Sequence, residues 1–170
     1  MLPLKTFFSS SFLVAISSAV GNTGAELAAD PRVSSKLSKT WLDSLGRTMN
    51  VYPEGKLDEI LTSVRTLHVA GVDILAGCDV SEPLPTLGGL AHGASLHREL
   101  QLLVEAGLTP IEVLRSATSV PARRFGLSDR GRIVVGARAD LLLVDGDPLT
   151  RISDTLSINA VWREGVRLDV

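Results

Sequence analysis

The clearest pattern of apolar and polar positions lies in the middle of the chain. Five apolar residues recur there at intervals of three or four positions: Leu57, Ile60, Leu61, Val64 and Leu67. This spacing predicts an amphipathic helix, and Gly71 follows where a left-handed helix cap is expected. The nearly continuous apolar run over residues 72–77 predicts a parallel strand buried on both faces. A helix that leads directly into such a strand is half of a βαβ unit and indicates an α/β fold.

Two further helices are predicted after a loop over residues 80–93, which contains three glycines and two prolines. The first has an apolar stripe and ends at Gly107; the stripe consists of Leu96, Leu100, Leu103 and Val104. The second begins with Thr109-Pro110-Ile111-Glu112, a capping box with proline at the first helical position, and is expected to run to about Ser119. A short helical segment is predicted over Pro121–Phe125.

The pattern changes near residue 128. Residues 132–135 and 140–145 are predicted as strands, Asp145-Gly146-Asp147-Pro148 as a turn, and 158–163 with 166–170 as a hairpin. The prediction is therefore an α/β portion over residues 1–128, followed by a small β portion over residues 129–170. In the first portion, residues 25–29 and 38–45 are predicted as short helices.

Composition narrows the function classes. The chain has 170 residues, 45% of them apolar, and a formal net charge of −2, so it lacks the basic patch typical of nucleic-acid binding. A single cysteine rules out an intramolecular disulfide and a paired-cysteine metal site. Only three histidines are present, at positions 68, 92 and 97.

The first 22 residues admit two interpretations. A lysine, an apolar and serine-rich run and small residues outline a secretory signal peptide over residues 1–21. The alternative is a buried strand and loop. The many serines make a poor membrane span, and the rest of the chain has no disulfide framework of the secreted kind. Cytoplasmic localisation without membrane association is therefore the prediction, with secretion as the alternative.

Asp79 is the main candidate for chemistry. It follows the apolar strand at its carboxyl end, after Gly77 and Cys78, and parallel α/β folds bind ligands at that end of their strands. A carboxylate there can bind a metal, accept a proton from water or hold a catalytic histidine. It can equally form a turn or cap a helix, and no HxH, HExxH or CxxC motif accompanies it. The residues alone thus indicate a candidate acid and no reaction.

Five successive segments resemble motifs of the metal-dependent amidohydrolase superfamily. Ala76-Gly77-Cys78-Asp79 is similar to "AGTD", and His97-Arg-Glu-Leu with the following residues 103–114 resembles "H-x-E-L…EAGLTPxEaL". Further along, residues 117–122 resemble "AATxxPA", residues 131–145 "G-x-I-x-x-G-x-x-ADLvlvD", and residues 147–149 "xPL". The similarity is greatest to the imidazolonepropionase-like and prolidase-like subgroup.

The resemblance implies the carboxyl-terminal part of a (β/α)8 TIM-like barrel, joined to a small β-sandwich segment of a composite domain. Residues 75–79 would form the eighth barrel strand, and residues 1–15 would be remnants of the seventh. A complete barrel takes about 250 residues, so this chain is expected to contain only the last part of one.

The resemblance also implies a mechanism. Asp79 would bind a divalent metal, zinc by family implication, and take the proton of the attacking water, and the substrate would be a small amide-type molecule. His92 and His97 would line the substrate pocket, or else cap or cover a helix surface. Cys78 replaces the usual threonine, as a redox-sensitive neighbour of the metal or simply as a small buried residue.

Because the family's other metal ligands have no counterpart upstream of Asp79, the isolated chain is expected to be inactive. The chain would then be the last part of a hydrolase that acts on carbon–nitrogen bonds. The alternative is a non-catalytic truncated paralogue with an interaction role. Open strand edges and uncovered apolar faces also predict self-association.

Overall fold

The computed structural model describes residues 8–10, 12–80 and 87–169. The elements of the first half are β1 (Phe8–Ser10), α1 (Leu13–Ala19), α2 (Ala25–Ala29), α3 (Pro31–Ser34), α4 (Lys39–Leu45), α5 (Leu57–Val69) and β2 (Asp73–Leu75). The second half contains α6 (Ala94–Glu105), α7 (Pro110–Ser116), α8 (Ser119–Arg124), β3 (Leu141–Val144), a 3-10 helix (Ile152–Leu156), β4 (Ile158–Arg163) and β5 (Val166–Leu168).

The strands form two separate sheets. β1 pairs with β2 in parallel, with Ser9 opposite Ile74, and β3, β4 and β5 form an antiparallel sheet in that order. The parallel pair agrees with the expectation of a strand near residues 1–15 beside the strand that leads to Asp79. An α/β fold is therefore confirmed, whereas the assignment of these elements to the last part of a barrel and to a β-sandwich segment stays a prediction.

The predicted helices around β2 are present. Four of the five apolar residues in the α5 stripe pack half-buried against the main core, whereas Leu67 is exposed. Gly71 has a φ of +81°, the left-handed conformation predicted for the cap. At α7 the Glu112 carboxylate accepts hydrogen bonds from the Thr109 N–H at 2.8 Å and the Thr109 hydroxyl at 2.6 Å. These bonds hold the pKa of Glu112 below its usual value and confirm the predicted capping interaction.

A predicted strand and the end of a predicted helix are among the features that differ from the sequence-based expectations. The strand predicted over residues 132–135 is absent, and Ile133 and Val135 are 87% and 107% exposed. Its backbone instead turns, with the Ala137 N–H bonded to the Val134 carbonyl, because β-type sequence forms a strand only where a partner supplies ladder hydrogen bonds. The helix expected to reach Ser119 ends at Ser116, and α8 follows after a break.

The core consists of two clusters. The larger joins α1, β2, α6 and α7 with the 3-10 helix; its buried members are Leu13, Val14, Ile74, Leu100, Leu102, Leu103, Ala106, Leu108, Val113 and Ile152. The smaller lies between α2, α3, α4 and the start of α6; its members are Leu27, Val33, Leu45, Ala91, Ala94 and Leu156. Ile152 and Leu156 thus attach the chain's last third to both clusters.

The segment considered as a signal peptide is partly described. Residues 8–10 form strand β1, as the alternative interpretation expects of part of this segment, whereas residues 13–19 form the buried helix α1, which packs against α6 where a loop was expected. Residues 1–7 and 11 lie outside the described residues, and secretion stays untested. Within the described ranges, no helix combines the length and apolar character needed to cross a membrane.

Candidate active site

Asp79 lies just beyond the carboxyl end of β2, as its sequence position predicts. It is exposed and has a φ of +52°, in the left-handed region that non-glycine residues rarely occupy. The preceding Cys78 is half-buried against the larger core cluster, which favours its interpretation as a small packing residue. The side chain of Asp79 is therefore open to solvent, whereas that of Cys78 packs against the core.

The strand that leads to Asp79 is fixed on two sides. The Ala76 N–H donates to the Ser116 carbonyl at 3.0 Å, which ties the end of β2 to the end of α7. At the other end of β2, Asp73 Oδ2 accepts from Arg123 Nη2 at 2.8 Å and from Arg124 Nε at 2.6 Å. Burial favours the neutral form of Asp73, but these two arginine bonds outweigh it and lower the pKa of the carboxyl.

His97 is a half-buried side chain of α6 in a defined tautomer. Its Nδ1 lies 3.0 Å from Thr155 Oγ1, and that hydroxyl donates its own proton to the Ile152 carbonyl. Nδ1 must therefore carry a proton and donate it, which leaves the lone pair on Nε2. Burial, assisted by the positive charge of Arg32, lowers the pKa of His97 to about 4, so the ring is neutral at physiological pH.

His92 and His97 line the same cavity, of about 170 Å³. His92 is exposed at its rim, and its ring meets the edge of Trp41 with centroids 5.9 Å apart. The remaining walls are mostly apolar, with Lys36 and Arg32 supplying positive charge. Asp79 is not part of this lining, so the structure brings the two predicted histidines together and does not place Asp79 in the cavity with them.

The donor groups of the described residues do not fit a metal ion by themselves. Within the described ranges, no group of three or more histidine, cysteine, aspartate or glutamate side chains is positioned to hold one. A single exposed carboxylate such as Asp79 does not compete with water for a divalent ion. Two further polar side chains have structural partners: His68 Nε2 lies 3.4 Å from Glu112 Oε1, and Asp140 accepts the Glu164 N–H at 2.8 Å.

One fully buried acid, Glu99, was not singled out in the sequence. Glu99 is 0% exposed on α6, and its Oε2 accepts the Val14 N–H at 2.8 Å. The sequence position of Glu99 could have indicated its burial, because it falls on the apolar stripe between Leu96 and Leu103, where a charged residue is unusual.

A comparison with known families settles the relationship. Residues 17–168 match the family model described as "Amidohydrolase family". The chain belongs to the amidohydrolase family.

Curated relatives of this amidohydrolase chain include adenine deaminases and imidazolonepropionases. An adenine deaminase of Gluconobacter oxydans (strain 621H) is 32% identical over 113 residues, which cover 66% of the chain and 19% of the relative. An imidazolonepropionase of Cereibacter sphaeroides (strain ATCC 17029) is 36% identical over 102 residues, covering 60% of the chain and 22% of the relative. The amidohydrolase chain thus spans about a fifth of these relatives.

Solved structures agree on the fold. A prolidase complexed with N-methylphosphonate-L-proline superposes with a TM-score of 0.61 at 25% identity, covering 95% of this amidohydrolase and 34% of that chain. A Xaa-Pro dipeptidase with bound methionine gives a TM-score of 0.63 at 20% identity, with 95% and 35% covered. The fold similarity therefore extends over nearly all of the chain and about a third of each neighbour.

Proposed function

We propose that this chain is the carboxyl-terminal part of a hydrolase that cleaves carbon–nitrogen bonds of small amide-type substrates. The observation that carries the proposal is the exposed carboxylate of Asp79 at the carboxyl end of β2, held at a φ of +52°, in a chain that matches the amidohydrolase family over residues 17–168. A strained, solvent-facing acid at a strand end suits binding or catalysis better than packing.

Asp79 acts in this proposal as the base for the attacking water. It takes one proton as the water oxygen bonds to the substrate carbon, and then passes this proton to the nitrogen whose bond to that carbon breaks. The products are an acid or carbonyl compound and an amine or ammonia. The names of the relatives, adenine deaminase and imidazolonepropionase, and those of the structural neighbours, prolidase and Xaa-Pro dipeptidase, support this range of substrates.

A divalent metal, zinc by family implication, needs ligands beyond those that the described residues bring together. His92 and His97 stay candidates for substrate contact, and the neutral Nε2 of His97 would accept a hydrogen bond from an N–H or O–H group of a ligand in the cavity.

The second candidate function is a non-catalytic interaction protein. It is favoured by the same observation on donors: in the described part of the chain, Asp79 has no neighbouring group that completes a metal site. In that case the 170-residue chain would bind neither metal nor substrate.

A chimaera tests the hydrolase function. Residues 17–168 replace the matching carboxyl-terminal segment of the prolidase, which supplies the remainder of a site, and hydrolysis of a Xaa-Pro dipeptide is measured. We expect turnover, and we expect Asp79→Asn to lower kcat by at least about 100-fold. Asp43→Asn, an exposed acid on α4, is the matched control and should leave kcat unchanged. A folded chimaera whose activity is indifferent to Asp79→Asn would refute the assigned role.

Assays of the isolated chain test its expected inactivity, which both candidate functions share. With added zinc, cobalt or manganese and a panel of N-acyl amino acids, dipeptides and adenine, we expect no turnover from the chain alone. Metal-dependent hydrolysis that disappears in Asp79→Asn would contradict the expected inactivity and establish an autonomous enzyme.

A further inference from the structure

The strand β5 is the last strand of the antiparallel sheet. The order is β3-β4-β5, and Val166, Arg167 and Leu168 are all exposed. Among residues 8–10, 12–80 and 87–169, no backbone group bonds to the outer side of β5. An open edge of this kind presents N–H and C=O groups to any extended segment that matches its side chains.

One face of the sheet carries an apolar row that ends at this edge. Leu142 lies opposite Val161, and Val161 lies opposite Leu168, so the three side chains follow one another across the sheet. Leu142 is 52% exposed and Leu168 is 41% exposed. Both end residues of the row are therefore open to solvent, and Leu168 is its last side chain because β5 is the last strand of the sheet.

The opposite face carries a charge pattern at the same edge. Arg167 lies opposite Trp162, and its guanidinium carbon is 5.9 Å from the centre of the indole ring. Asp169 follows two positions later and is exposed, so the alternation of an extended chain places it on the same face as Arg167. A positive and a negative side chain thus flank Leu168 along the edge.

We propose that β5 is the pairing edge for a second copy of this chain, in antiparallel orientation, with the two-fold axis at Leu168. In this register Leu168 faces Leu168 of the second copy, and Arg167 faces Asp169 of the second copy on both sides of the axis. The two apolar rows join into one row of six side chains across a six-stranded sheet. The inference is independent of the proposed hydrolase function.

Charge complementarity selects the second copy and its orientation. A two-fold contact requires a surface that complements itself, and the Arg167-Leu168-Asp169 sequence does so only when antiparallel. A parallel pairing in register would set Arg167 against Arg167, and like charges opposite one another destabilise a sheet. A charged residue on an edge strand ordinarily discourages association, but here each charge meets its opposite.

Sedimentation velocity of the 170-residue chain tests the pairing. We expect the mass to rise with concentration from 18.1 kDa towards twice that value. Leu168→Lys should stay at the monomer mass, because it places two positive charges against each other at the axis. Val69→Lys on α5, where Val69 is 79% exposed, is the matched control and should associate like the unaltered chain.

A charge exchange makes the test specific to this register. Arg167→Asp and Asp169→Arg should each weaken association by about tenfold, because each sets like charges opposite one another, and the double variant should restore it. Thermal melts of every variant verify folding. A monomer at all concentrations, association that survives Leu168→Lys, or no recovery in the double variant overturns the proposal. A dimer lost in Val135→Lys instead would locate the contact at the exposed residues 133–135 and also overturn it.

Discussion

The carboxylate of Glu99 accepts a hydrogen bond from the backbone N–H of Val14, 85 positions earlier in the chain, at 2.8 Å. Both residues are buried. The bond satisfies one of the N–H groups that the first turn of α1 leaves without a helical partner. It therefore fastens the segment after β1 to α6, and β1 in turn pairs with the strand that leads to Asp79.

Replacing Glu99 should destabilise the fold markedly. Glu99→Ala leaves the Val14 N–H buried without this acceptor and opens a cavity, so we expect a loss of about 3 kcal/mol in the free energy of unfolding. Urea denaturation measures the loss. Glu105→Ala on the same helix removes only a surface ion pair with Arg98 and should cost less than about 1 kcal/mol. Equal losses for the two variants would contradict the buried cap.

The backbone at Asp79 gives a second prediction. A φ of +52° is strained for a residue with a Cβ atom, so Asp79→Gly should be more stable than Asp79→Ala by about 1 kcal/mol. Asp79→Asn should match the unaltered chain, because asparagine tolerates this conformation as well as aspartate does. Denaturation curves of the three variants measure these differences in stability. An alanine variant as stable as the glycine variant would argue against the left-handed conformation.

The two arginines of α8 should contribute unequally to the free energy of unfolding. Both residues bond Asp73, but the side chain of Arg124 is 19% exposed and that of Arg123 is 61% exposed. Because solvent screens the exposed partner, Arg123→Ala should cost less than about 1 kcal/mol. Arg124→Ala should cost about 2 kcal/mol, since it leaves a half-buried carboxylate with a single donor. Unfolding by urea checks the order, which a larger loss in Arg123→Ala would reverse.

His97 should make stability depend on pH in acid. Its pKa is about 4 in the folded chain, against the ordinary 6.5, so between these values the unfolded state binds more protons. Stability is complete above pH 6.5 and falls as the pH drops towards 4, by on the order of 2 kcal/mol.

The variant His97→Gln should remove this slope, which denaturation at several pH values in that window measures. His92→Gln, on the other side of the same cavity, should retain it. Titration of the ring of His97 by NMR offers a direct measurement, and a midpoint near the ordinary value would contradict the prediction.

Local sequence rules were sufficient where one short segment decided the outcome. The stripe from Leu57 to Leu67, the cap at Gly71 and the Thr109–Glu112 pair each depend on residues within a few positions of one another, and each is confirmed. The β-type run at residues 132–135 failed as a strand because its ladder partner must come from elsewhere in the chain.

In the candidate site, too, the sequence identified individual residues but not their relative placement. The position of Asp79 after an apolar strand marked it as a candidate, His97 begins a segment that resembles a family motif, and His92 lies in the loop before it. Their relative placement was not predictable, because residues 87–93 and α6 carry both histidines to a cavity beside α3 and β4. Burial of His97, which lowers its pKa, also depends on Thr155 and the 3-10 helix, more than fifty positions away.

The sequence by itself determined the family motifs, most helix boundaries and the acid at the end of β2, since these follow from local spacing and backbone preference. Only the tertiary structure decided that α1 packs in the core with the Val14 N–H bonded to Glu99, that His97 is half-buried beside Thr155, and that the other described residues leave the sheet edge at Arg167 and Leu168 uncovered. Each of these features depends on which distant segments pack against one another. Because hydrophobic burial is non-directional, no short segment specifies its own packing partner, and the partners are decided only when the whole chain folds.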